Sequence, residues 1–366
     1  MTTAYDLSAS ELEEALRGWG EPAYRVRQVA DALWRRAATY EEMTELPGAL
    51  RERLAETFPL GIEVVDERLA DRGATRKVLL RLDGKHLVEA VLMGYDDRVT
   101  VCISSQAGCG MGCGFCATVQ MGLLGNLSAG QIAAQVVWAR REAARLPAST
   151  PRRLTNVVFM GMGEPLANER NVFDAIARIT DPAGIRLGAR HLTVSTVGLV
   201  PGIRSLATAH PQVGLAVSLH AADDLTRTRL VPINRRYPLA ALEEAVIEWR
   251  VLTNRRPSIE WAMIEGENDS DEQARLLAPI ARRMRAHVNL IPLNPTPGWH
   301  TQPSSPARIK AFVRVLERAR VTVTVRDTRG RGIDAACGQL RLGAEADRTP
   351  PTGPTGRDLP LRPADA

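Results

Sequence analysis

The chain has 366 residues, 45% of them hydrophobic, and a net charge of +5, enough for one large α/β domain with appendages and a substantial core. No apolar run approaches the roughly 18 residues of a membrane span, and the acidic, polar start from Met1 to Glu13 has no secretory pattern, so a cytoplasmic protein without membrane attachment is expected. Of the 47 basic residues 44 are arginine, the exceptions being Lys77, Lys85 and Lys310; this skew reflects genome composition as readily as nucleic-acid binding, and gives RNA binding only weak support.

Residues 1–60 read as a small separate helical domain, with Ser8 ahead of Leu12 and Leu16, and Val26, Val29, Ala30, Leu33 and Trp34 at helical spacing. Residues 61–95 read as a β-hairpin extension, two strand-like runs on either side of Asp83-Gly84. A strand from Arg98 to Ser104 follows. From there strands starting at Asn156, Leu192, Gly214, Ile259, Val288 and Val321 alternate with helices, the first opening at the capping pattern Ser128-Ala129-Gly130-Gln131. About six βα units imply an α/β fold with a parallel sheet curled into a partial (β/α)6 TIM-like barrel, spanning residues 96–343. The tail, residues 344–366, is rich in Pro, Gly and Thr and is expected to be disordered.

The five cysteines are Cys102, Cys109, Cys113, Cys116 and Cys337. An odd number without a secretory signal favours metal ligation or thiol chemistry over structural disulfides. Cys109, Cys113 and Cys116 lie in one glycine-rich loop after a barrel strand, a C-x3-C-x2-C spacing that can hold three irons of a [4Fe-4S] cluster and leave the fourth open. This resembles the radical S-adenosylmethionine superfamily, in which the open iron chelates the amino and carboxylate groups of S-adenosylmethionine. A structural zinc site with Cys102 as fourth ligand is the bland alternative, although zinc ligands usually come as two separated pairs. Polar or glycine-rich groups recur at later strand ends: Gly163-Glu164, Ser195, Ser218-Leu219-His220 and Asn294. In a parallel barrel that is where functional residues gather. Taken singly, each reads equally well as a turn residue or a helix cap.

Alternation along Val99 to Ser104 puts Cys102 on the polar face with Thr100 and Ser104, opposite Val99, Val101 and Ile103. Cys337 sits in a loop beyond the last strand. By residue type alone Glu89 is a surface carboxylate.

Several blocks in order, Val101 to Cys109, Gly161 to Leu166, Ser218 to Ala221, Ile291 to Pro295 and Asp334 to Leu340, resemble the RlmN/Cfr family of radical S-adenosylmethionine RNA adenine methyltransferases over nearly the whole chain. The resemblance implies an enzyme using a [4Fe-4S] cluster on Cys109, Cys113 and Cys116 and two S-adenosylmethionine molecules per turnover. It implies that Cys337 carries the methyl group as S-methylcysteine, that Cys102 resolves the protein–RNA adduct through a transient disulfide with Cys337, and that Glu89 accepts the proton. Gly163, Glu164, Ser195, Ser218, Leu219, His220 and Asn294 would then bind S-adenosylmethionine. The implied substrates are adenine C2 in 23S rRNA and in a tRNA anticodon loop. The implied electron donor is flavodoxin-type, and a monomer is expected. Methylation at C8, as in Cfr, a radical enzyme acting on a protein or metabolite, and a zinc-stabilised RNA-binding protein are the alternatives. Arg152-Arg153, Arg235-Arg236, Arg255-Arg256, Arg282-Arg283 and the stretch from Arg326 to Arg331 could contact phosphates.

Overall fold

The structure is a computed structural model and is described for residues 2–294, 302–326 and Leu340. Cys337, the Asp334-to-Gln339 stretch and the tail of residues 344–366 lie outside the described residues.

The chain opens with helices α1 (Ala9–Gly18), α2 (Tyr24–Ala30), which runs on into a π-helical segment, Asp31–Arg36, and α3 (Gly48–Thr57). Ser8 Oγ caps α1 by accepting from Glu11 N at 3.2 Å, while the Glu11 carboxylate accepts from Ser8 N. These helices pack against the barrel. Leu12, Leu16, Val29 and Leu33 belong to the same apolar cluster as the barrel residues, and the Arg178 guanidinium donates to the carbonyls of Tyr5, Asp6 and Leu7. Asp6 Oδ1 accepts from Ser128 Oγ (2.7 Å) and Gly130 N (3.0 Å), so the N-terminal segment helps to cap a barrel helix.

The expected hairpin is a three-stranded antiparallel sheet, β1 (Ile62–Ala70), β2 (Thr75–Leu82) and β3 (His86–Gly94). Strand β1 escapes sequence reading because it is largely exposed and carries mixed charges with a bulge between Val64 and Asp66, so it shows no clean alternation. Strand β3 joins these to β4 (Val99–Cys102), where the parallel series begins. The cysteine loop lies inside a small separate ribbon, β5 (Gln106–Gly108) with β6 (Leu123–Asn126).

Then follow α4 (Ala129–Ala143), β7 (Asn156–Phe159), α5 (Glu169–Thr180), β8 (Leu192–Thr196), α6 (Val200–Ala209) and β9 (Gly214–Ser218). The chain continues with α7 (Asp224–Leu230), α8 (Leu239–Thr253), β10 (Ser258–Met263), α9 (Asp271–Met284), β11 (His287–Pro292), α10 (Pro306–Arg318) and β12 (Val323–Val325). Ser128, Ser270 and Ser305 each accept from the backbone N–H three residues on, which starts α4, α9 and α10, the first where the sequence places it. Helix α7, capped by Asp223, is the element the alternating pattern does not reveal.

The main sheet runs β1-β2-β3-β4-β7-β8-β9-β10-β11-β12, with every pair from β4 to β12 parallel. This is six βα units and a seventh strand, with no pairing that closes the sheet among the described residues. Its curl is visible from the inside: Phe159, Ser195, Ser218, Glu260 and Ile291, on five successive strands, line one cavity. No helix among the described residues is long and apolar enough to cross a membrane.

Candidate active site

The cavity, about 190 Å³, sits where strands β7 to β11 end, the end at which parallel barrels gather reactive groups. Gly163, Glu164, Ser195, Ser218 and His220 all line it, so five strand-end residues proposed from the sequence converge. Leu219 does not face it; its side chain is buried in the main core, while its backbone N–H donates to Glu260 O and its carbonyl accepts from Arg227. Asn294, half-buried just past β11, is not part of the lining.

Two loops are sewn together at the cavity's edge. Met162 N donates to Ser104 Oγ, Glu164 N to Gln106 Oε1, and Ser105 N to Met162 O. Gly163 has φ +95°, and a Cβ there would stand 2.5 Å from Gln106 Cβ, so this close approach requires glycine. Glu164 Oε1 accepts from Leu166 N at 3.0 Å and Oε2 from Val197 N at 2.9 Å. Burial pushes its carboxyl up to about 7, against these hydrogen bonds, which favour the carboxylate.

His220 has a left-handed backbone, φ +59°. Its Nδ1 accepts from Ala262 N at 3.0 Å, which places the ring proton on Nε2. Burial, with the nearby Arg227 charge, pushes the imidazole down to about 3, so it is neutral. The Phe115 ring meets it edge-on at 4.7 Å, linking the cysteine loop to the cavity.

Three participants escape sequence reading. Arg227 is wholly buried and donates to Val197 O (2.6 Å), Leu219 O (3.1 Å) and Asn234 Oδ1 (2.7 Å), tying together the loops after β8 and β9. Burial lowers it to about 10. Glu260 lines the cavity from β10 and accepts from Ser258 Oγ and Asn289 Nδ2. Burial raises its carboxyl, opposed by these bonds and by the Arg326 charge. A lone Glu between Ile259 and Trp261 in an apolar strand is the signal that could have found it. Arg326, expected to touch phosphates, lines this cavity instead.

In the cysteine loop, Cys109 and Cys113 are buried and Cys116 is half-buried. Gly108 has φ +76°, and a Cβ there would collide with Gly122 O at 1.9 Å, while Cys109 N donates to Gly122 O at 2.9 Å. The far side rests on α7, with Gly114 N donating to Leu230 O at 3.1 Å. Burial pushes the Cys109 thiol up to about 12, and burial with the neighbouring thiolates raises Cys113 well above the usual range.

Cys102 lies on the inner face of β4 as alternation predicts, packed with Val91 and Met93 against Tyr95, Val158 and Met160, while Val99, Val101 and Ile103 join the main core. Met160 also lines the strand-end cavity, so Cys102 and the cavity share a wall. Glu89 is not a surface carboxylate: it is 1% exposed, with Lys77 Nζ 3.0 Å from Oε2. Arg255, Arg256 and Arg282 lie with Arg250, Arg285 and Arg320 around a different cavity, at the loops entering β10, β11 and β12, the opposite end of the barrel.

Residues 103–278 match the Radical SAM superfamily model. The probable dual-specificity RNA methyltransferase RlmN of Salinispora tropica is 53% identical over 88% of this chain and 88% of the relative. The protein of that name from Roseiflexus sp. is 47% identical over 92% of this chain and 95% of its own. The chain belongs to the RlmN family. A crystal structure of a radical SAM methyltransferase from Sphaerobacter thermophilus agrees, with 47% identity, a TM-score of 0.88 and coverage of 93% of this chain and 99% of that one.

Membership in the RlmN family makes this chain an enzyme and implies a [4Fe-4S] cluster and S-adenosylmethionine. The residues fit that pair. The loop offers three free thiols, Cys109 and Cys113 buried and Cys116 half-buried, and a cuboidal cluster takes each thiolate on a different iron. No disulfide joins any two described cysteines.

Proposed function

We propose that this RlmN-family enzyme methylates C2 of an adenine in 23S rRNA and C2 of an anticodon-loop adenine in tRNA, using two S-adenosylmethionine molecules per turnover. The observation that carries the reading is the wall shared by Cys102 and the strand-end cavity through Met160. This neighbourhood supports a role for Cys102, a thiol outside the C-x3-C-x2-C loop, in chemistry at the proposed S-adenosylmethionine site.

When bound, the cluster and S-adenosylmethionine supply one-electron chemistry able to take a hydrogen atom from a methyl group. Cys109, Cys113 and Cys116 hold the cluster. Gly163, Glu164, Ser195, Ser218, His220 and the backbone of Leu219 orient the sulfonium ligand, with Asn294 at the rim. Cys337 takes the first methyl group as a thiolate nucleophile and links that carbon to the base. Glu89 accepts the proton lost from C2. Cys102 then attacks the Cys337 sulfur as a thiolate; the carbon–sulfur bond breaks, the released methylene carbon keeps the bonding pair and takes up a proton to become the methyl group, and a Cys102–Cys337 disulfide is left that a cellular reductant reopens.

Adenine C2 offers no lone pair for ordinary methyl displacement, and for that reason a carbon radical is needed. The base must leave its stack to enter the barrel, and the domain of residues 1–60 helps to grip the RNA. A flavodoxin-type donor supplies electrons, and the protein acts in the cytoplasm as a monomer.

Nucleosides from RNA of cells with and without this protein, separated by mass spectrometry, test the reading. Loss of 2-methyladenosine from 23S rRNA and tRNA on deletion supports it. Loss of 8-methyladenosine instead would make C8 the target, and no change in either would remove RNA as the substrate.

A further inference from the structure

Lysine is scarce in this chain, three residues against 44 arginines. Lys85 and Lys310 are exposed. Lys77 is 0% exposed and pairs with Glu89, itself 1% exposed. An ammonium is costly to bury, and a chain that uses arginine for nearly every cation has kept lysine at this one interior position.

The sheet register says what the pair is next to. Lys77 on β2 stands opposite Val91 on β3, Val91 opposite Cys102 on β4, and Cys102 opposite Val158 on β7. Residues across a row share a face, and residues two apart on a strand share it too. Lys77, Glu89 and Cys102 therefore lie on one face, the inner one, with Glu89 one step from the Val91 row. Ser104 Oγ donates to Glu89 O at 2.7 Å, fixing that step of β3 against the end of β4.

Strands β1 and β2 carry further charged groups on this face. Arg81 on β2 pairs with Glu63, and Arg68 and Asp66 of β1 pair with each other at 3.4 Å. Tyr95 packs at the edge of the Cys102 cluster.

We propose that Lys77 is a positioning residue for the proton acceptor: its ammonium, 3.0 Å from Oε2, holds the buried Glu89 carboxylate in place on the face that carries Cys102. The inference rests on the reading of Glu89 given above. Taking the cation away from a buried carboxylate favours the neutral form in general, and a neutral carboxyl cannot accept a proton. An arginine would bring a wider fork of five donors, each needing an acceptor inside the wall, whereas lysine presents one compact charge.

The test uses the cluster-loaded enzyme with Lys77→Met and Lys77→Arg, both checked by thermal melting. Lys77→Met is expected to lower methyl transfer at pH 7 tenfold or more and to move the acidic limb of the pH–rate profile to higher pH. It should still form 5′-deoxyadenosine and should accumulate crosslinked protein–RNA. Lys77→Arg should restore part of the rate. Independently of turnover, infrared difference spectra of the protein at pH 7 should show a protonated carboxyl band in Lys77→Met that disappears in the Lys77→Met/Glu89→Gln double variant.

A folded Lys77→Met protein with the wild-type rate and pH profile would overturn the proposal, as would loss of 5′-deoxyadenosine formation together with methylation and without the infrared band. The two readings fail separately. Normal methylation by Glu89→Gln removes Glu89 as acceptor, whereas an inactive Glu89→Gln beside an unaffected Lys77→Met removes only the lysine.

Discussion

Glu164 Oε2 accepts a hydrogen bond from Val197 N at 2.9 Å, so one buried carboxylate joins the loop after β7 to the loop after β8. Its other oxygen serves Leu166 N. In Glu164→Gln the amide nitrogen must face one of these two donors, leaving a buried N–H without an acceptor at a cost of about 1–3 kcal/mol. Denaturant unfolding should show that loss, and S-adenosylmethionine binding should weaken. The pH dependence has a definite sign. With its carboxyl raised to about 7 in the fold, native Glu164 holds a proton that the unfolded chain has already released, so its contribution falls as pH rises from about 4.5 to 7. Wild-type stability relative to Glu164→Gln should decline across that window; a flat difference would count against a raised carboxyl.

His220 acts in the opposite sense. Its imidazole is held down to about 3, while the unfolded chain takes up a proton near 6.5. Its contribution is complete above 6.5 and is lost as pH falls towards 3, with a slope of at most about 1.4 kcal/mol per pH unit. Replacing it with Gln should flatten the acid limb of the stability profile, read from urea midpoints at pH 5 and 7. An unchanged limb would show that His220 is already charged in the fold.

Arg227 holds the Val197 and Leu219 carbonyls and the Asn234 side chain from one guanidinium. Arg227→Met leaves these acceptors buried and should cost about 3 kcal/mol or more, seen as a lower melting temperature. Arg227→Lys should recover little, because a single ammonium cannot span the fork. Since α7 also supports the cysteine loop through Leu230 O, iron and sulfide content after reconstitution should fall in step. Full cluster content in the Met variant would separate the two loops.

Removal of the two remaining cysteines should have distinct effects. Cys337→Ala should abolish methylation, and Cys102→Ala should trap protein crosslinked to RNA, visible as a slow band on denaturing gels. Free methylated RNA at normal yield from Cys102→Ala would end the resolving role.

The readable parts of the site were those in which local chain carries the information. Cys109, Cys113 and Cys116 declare themselves through spacing, and Glu164, Ser195, Ser218 and His220 through their recurrence at strand ends. Arg227 was hidden because its helix has only seven residues and its partners are backbone carbonyls, which leave no mark in sequence. Strand β1 was hidden because exposure on both faces erases alternation.

The sequence by itself determined the grouping of three cysteines in one loop, the order of strands and helices, and the side of β4 on which Cys102 lies, because each depends on neighbours within a few residues. Only the tertiary structure decided that Glu89 is buried, that Lys77 meets it, and that both share the face of Cys102. Period-two alternation says which residues of one strand lie together, but pairing partners and register are set by turns, bulges and the core packed behind the sheet. The same carboxylate is a surface residue in one register and an interior residue in another.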